Sequence, residues 1–181
     1  MRRLSGVAFL AALMLIFSAT ANAESFDVRK VRWGMSRNDV KGSENPRALL
    51  KEVKEDSILI YQSEILSNPT YIMYGFNKSG KLDTVTCSIR CRSNSDMKYV
   101  YSRLASSLSG KYKEDKSSID VRAVMKDQVR TYTTKRSFIS LIAQKDSVNI
   151  VYMEISLHKK KTKEFTDKVK EQNNRHKKDV K

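Results

Sequence analysis

The stretch VRWGMSRNDVKGSE, Val31 to Glu44, decides how this chain is entered and built. Ser36 is followed three residues later by Asp39. At that spacing a serine oxygen accepts the third helical N–H while the acid side chain returns to the serine backbone, which makes a capping box. Asp39 also suits the positive end of a helix. The spacing predicts a short helix over 37–43 with Met35 and Val40 facing inward, and Pro46 limits it. Trp33, the only tryptophan, sits at the helix entrance. It reads as a lid on the core rather than a ligand platform. Nothing here pairs a nucleophile with a base. Trp33, Gly34, Ser36, Asp39 and Val40 form a structural motif, the entrance to a fold.

Downstream, strand signals dominate. SILIYQSEIL (57–66) is rich in β-branched and aromatic residues. In TYIMYGF (70–76), Ile72, Tyr74 and Phe76 share a face. Asn77-Lys78-Ser79-Gly80 reads as a hairpin loop whose glycine supplies positive φ. LDTVTCSI (82–89) returns with Val85, Cys87 and Ile89 on one face, giving an antiparallel meander. Asn94 or Ser95 is positioned to cap a second helix. Its stripe of Met97, Val100, Tyr101, Leu104 and Leu108 follows helical spacing, and Gly110 stands where a left-handed C′ glycine belongs. Further strands are expected at 119–126, 128–134, 137–144 and 147–157, with Lys145-Asp146 as a tight turn. The last two are almost continuously apolar and read as central in the sheet.

The expected fold class is therefore α+β: an antiparallel β-sheet with helices on one face and a basic C-terminal helix. The order suggests two tandem α-βββ units, 31–91 and 94–157, within one domain of residues 24–157. Gly34-Met35-Ser36, then Val40 and Pro46, resembles the opening of the SmpA/BamE family of small exported envelope proteins, and the helix followed by a meander is similar too. The chain differs in lacking the family's Leu-Gly pair before the proline and its lipid-bearing cysteine. A doubled unit resembles the architecture of β-lactamase inhibitor proteins. The resemblance implies a binding or assembly module rather than an enzyme.

The two ends speak about location. Arg2 and Arg3 precede the apolar run Val7–Phe17, and Ala21-Asn22-Ala23 has the A-x-A form of a cleavage site. Residues 1–23 thus read as a cleaved signal peptide, with an uncleaved anchor as the alternative. The mature chain is expected to be periplasmic or secreted, with no transmembrane segment after cleavage. The other end, residues 158–181, holds ten Lys or Arg against four acids. The whole chain carries +15, so much of the excess sits in this tail. Glu164 to Lys168 and Glu171 to Arg175 are acid-before-base pairs that favour a helix. The tail is either a solvated terminal helix or an electrostatic contact with an anionic envelope surface or envelope protein. Its candidate contact residues are Lys159, Lys160, Lys161, Lys163, Lys168, Lys170, Arg175, Lys177 and Lys178. Export takes the chain away from nucleic acid, which is not an expected partner.

Cys87 and Cys91 are the only cysteines, and in an oxidising compartment a disulfide is the first expectation. A continuous strand separates residues four apart by about 13 Å, too far to bridge. The bond therefore requires the strand to end near Ile89 and turn through Arg90; two thiols, or an intermolecular or redox role, are the alternatives. No metal site or cofactor is expected, because both histidines, His158 and His176, lie in the tail. Without G-x-S-x-G, S-x-x-K or a phosphate loop, catalysis is not expected either. Glu52, Glu55 and Asp56 read as a solvated acidic cluster rather than a carboxylate pair. The expected function is a non-enzymatic, periplasmic, envelope-associated protein-binding module. An inhibitor or small-ligand binder is the alternative, and an enzyme of unrecognised type stands behind both.

Overall fold

The computed structural model describes residues 27–53, 57–115 and 128–179. The signal peptide expected at residues 1–23 and the strand expected at 119–126 lie outside them. The chain is α+β. Among the described residues, eight strands form one antiparallel sheet in the order β1-β2-β3-β4-β8-β7-β6-β5. They are β1 (Leu49–Val53), β2 (Ile58–Ile65), β3 (Asn68–Phe76), β4 (Leu82–Arg90), β5 (Lys113–Glu114), β6 (Gln128–Thr133), β7 (Ser137–Gln144) and β8 (Ser147–Glu154). The helices are α1 (Arg37–Ser43), α2 (Asn94–Ser109) and α3 (Ile155–Asp179).

The capping box forms as its spacing requires. Ser36 Oγ accepts from Asp39 N, and the Asp39 carboxylate accepts from Ser36 N at 2.9 Å. The backbone before the helix runs beside β4: Gly34 N donates to Leu82 O, and Leu82 N to Met35 O, both at 2.9 Å. Gly34 takes φ +84, which only glycine adopts freely. The Asn77–Gly80 loop closes as expected, with Asn77 Oδ1 accepting from Ser79 N and Lys81 N and Gly80 at φ +70.

Register shows which residues share a face. Ile72, Cys87, Ile150 and Leu141 lie opposite one another across β3, β4, β8 and β7, as do Tyr74, Val85, Tyr152 and Ile139. Directly paired residues point to the same side, so these two rows line one face. That face carries α1 through Val40 and Glu44, and α2 through Ala105, whose carbonyl accepts from Tyr132 Oη. Phe138 is one residue out of phase and points to the other face. There the His158 ring stacks on it, with centroids 3.6 Å apart and planes 4° from parallel. Two helices thus cover one face, and the basic helix touches the opposite one.

Several expectations are corrected. Cys87 and Cys91 are free and buried, and no disulfide joins them. β4 continues through Arg90 because its pairing with β8 runs to Arg90↔Ser147, so the chain cannot turn where the bridge needs it. The second helix is capped by Ser93, not Asn94 or Ser95; its side chain accepts from Asp96 N. Gly110 ends that helix at φ −74, a right-handed cap that needs no glycine. β8 stops at Glu154 instead of 157, where its pairing with β7 ends at Ser137, and α3 starts at Ile155. β1 and β5 were not anticipated. Glu52 belongs to β1 and is not simply solvated; Lys41 Nζ reaches it at 2.6 Å and Arg37 Nη1 at 3.1 Å. Glu55 and Asp56 lie outside the described residues.

Trp33 is the lid its position implies, with one addition. Its indole Nε1–H donates to Ser137 Oγ at 2.9 Å across 104 residues of sequence. Asp27 accepts from Trp33 N and pairs with Arg136 at 3.1 Å. The segment 27–36 is therefore a strap. Its backbone binds β4, and its indole binds the start of β7, across the seam where β4 meets β8.

Candidate functional site

The tail residues come together on α3. Its 25 residues span about 37 Å at 1.5 Å each. Its first turn is fastened to the domain by the Ile155–Arg136 backbone bond and the His158–Phe138 stack. Burial pushes the His158 imidazole below its ordinary value, with Asp115 opposing more weakly, so the ring in the stack favours its neutral form. From Lys159 to Lys168 every side chain is exposed, as are Lys170 and Glu171. Phe165 is 69% exposed. The helical backbone continues through Arg175, Lys177 and Lys178.

Between Lys159 and Glu171 the helix holds six lysines and three acids. No arginine falls in that span. Lysine is a compact, strongly hydrated point charge on a flexible stem, unlike the planar fork of arginine. Lys159, Lys163 and Lys170 line an open groove of about 480 Å³, with His158, Thr162, Thr166 and Asp167. Lys161 also bears on Asp83 in β4, whose carboxyl burial raises and Lys161 partly lowers. A row of exposed cations along a helix can hold an anionic surface by Coulomb attraction and counterion release.

A second polar cluster lies on the covered face. Tyr74 Oη donates to the Glu44 carboxylate, and Arg29 Nε pairs with the same oxygen at 3.4 Å. The Tyr74 ring meets Tyr61 edge-on, with centroids 5.7 Å apart. Burial, and then Glu44, raise the Tyr74 phenol above its ordinary value. Burial pushes the Cys87 thiol up to about 11, and burial followed by Asp96 raises Cys91. At neutral pH these groups stay protonated, the form in which neither is a good nucleophile or base. The cluster ties the strap and the end of α1 to the sheet. Among the described residues, no three His, Cys, Asp or Glu side chains converge as metal ligands.

Sequence reasoning found the lysines because charge runs are visible in composition. It missed the Phe138–His158 anchor, because nothing local in SFISLIAQ marks which alternate face will meet a helix. The structural motif splits in role: Ser36 and Asp39 cap α1, Val40 is buried beneath it, Gly34 turns the chain, and Trp33 spans the sheet. No protein family, curated protein or solved structure was found that matches the chain.

Proposed function

We propose that this chain is a non-enzymatic, exported, envelope-associated binding module that holds an anionic surface through α3 and a protein partner through its sheet. The observation that carries the reading is the run of six exposed lysines on a helix whose first turn is fastened to the domain. A stabilising helix would bury a face along its length; this one leaves its six lysines between Lys159 and Lys170, and Phe165, in solvent. The leader-like residues 1–23 support export, and the SmpA/BamE-like opening supports an envelope role. No helix among the described residues is long and apolar enough to cross a membrane.

The sheet supports the protein-binding half of the reading. β1 is its edge, paired among the described residues only with β2, and Leu50 on it is 51% exposed. Such an edge can accept an added strand from a partner. The halves β1–β4 and β5–β8 each follow a helix, and their last strands pair at the centre. That order supports a doubled unit, now with four strands in each half.

Cell fractionation of the full chain tests the reading. Wild type is expected in the envelope pellet and released by raised salt. A full-length variant with Lys159, Lys163, Lys168 and Lys170 changed to Gln is expected in the soluble fraction. Equal retention of both forms, indifferent to salt, would sink the electrostatic attachment.

A further inference from the structure

Resting on that reading, we infer that the surface α3 holds is an anionic phospholipid bilayer, on which the helix lies flat with Phe165 inserted between the head groups. The arrangement around the helix axis carries the inference. At about 100° per residue, Phe165, Thr162 and Thr166 share one arc about 100° wide. Lys161 and Lys168 border it on one side, and Lys159, Lys163 and Lys170 on the other. Glu164, Asp167 and Glu171, with Lys160 among them, lie across the helix. An interfacial helix has this cross-section, with cations at the head-group level on both flanks and acids turned to water. The flanking lysine stems can lie along the apolar boundary while their ammonium groups reach phosphate.

Two further observations favour lipid over other anions. Phe165 follows His158 by two turns, so the stripe that begins against Phe138 continues past the sheet, and there its phenylalanine is 69% exposed. All cations from Lys159 to Lys170 are lysines. They bind phosphate as point charges, whereas planar bidentate recognition of carboxylates favours arginine. Lys159–Lys168, all exposed, offer about 15 Å of helix to a flat surface.

Vesicle flotation of the full chain tests this, using phosphatidylcholine vesicles with and without about one-third phosphatidylglycerol. Wild type is expected to float with the anionic vesicles only. Phe165→Ala should weaken that partition about tenfold, and Phe165→Leu should restore most of it. Each of Lys161→Gln and Lys163→Gln should weaken it about fivefold. Phe165 is exposed, so its variants are expected to keep the wild-type circular dichroism spectrum. Equal flotation of wild type and Phe165→Ala overturns the insertion. Failure to float, while the chain still pellets with envelope fragments, overturns the lipid assignment and leaves the surface reading standing with a protein or polysaccharide. Failure in both assays removes the surface reading as well. Self-association without vesicles, lost in Phe165→Ala, would assign the stripe to a second copy and overturn the proposal.

Discussion

Ser137→Ala should loosen the strap that joins the two halves of the sheet. Ser137 is buried, and its Oγ accepts the Trp33 indole N–H at 2.9 Å. The other bonds at this position use its backbone: Ser137 N donates to Thr134 Oγ1, and Ser137 O accepts from Thr134. Those survive the change. The alanine leaves a buried indole N–H without an acceptor, at a cost of about 1–3 kcal/mol. For a chain of this size each kcal/mol lowers Tm by about 2–4 °C. In urea the midpoint should fall by about 1 M, with an unchanged slope. Trp33 is the only tryptophan, so its fluorescence reads the event where it happens. A cycle with Trp33→Phe, followed by circular dichroism, should give a coupling of about 0.5–3 kcal/mol. A Ser137→Ala midpoint equal to wild type, or no coupling, would refute the strap.

Three other outcomes follow from the same contacts. Native protein should resist alkylation at Cys87, with both thiols reacting in denaturant, and its intact mass should show no bridge; a mass two hydrogens lower would contradict the strand running through Arg90. Asp39 is held below its ordinary 3.8 by Ser36, and Glu52 below its ordinary 4.5 by the Lys41 ammonium. Depressed carboxyls stabilise fully above the unfolded values and lose that contribution as pH falls through the folded ones. Stability should thus decline below about pH 4.5, and more gently in Asp39→Asn and Glu52→Gln; identical slopes would count against both pairings. The Leu66-Ser67 turn puts two ordinary residues at φ 51 and 58. Ser67→Gly should therefore stabilise by about 0.5 kcal/mol, relief of the left-handed penalty outweighing added chain entropy; a lower Tm would show the turn is not strained.

Much of the fold was legible because it is written locally. A capping box needs only Ser36 and Asp39, and the 77–80 hairpin only its own side chains. The alternation in β3 and β4 marks a face that is then buried. What was illegible is non-local. Leu49–Val53 and Lys113–Glu114 are short edges whose half-polar composition carries no strand signal, and they become strands only because β2 and β6 are there to pair with. The pairing of β4 with β8 keeps β4 extended through Arg90, and that long-range fact overrode the expectation of a disulfide. Ile155-Ser156-Leu157 reads as more of β8, but the ladder with β7 ends at Ser137↔Glu154 and the chain enters α3 at Ile155. For the site, charge was visible in sequence. The overhang was not, because it depends on where Phe138 stops His158.

Amide hydrogen exchange on the full chain, with and without vesicles containing phosphatidylglycerol, tests most directly whether α3 makes the surface contact. Added protection confined to about residues 159–171, and absent from pure phosphatidylcholine, is the expected result. Protection along β1, or across the sheet, with α3 unchanged would contradict it and move the binding surface onto the domain.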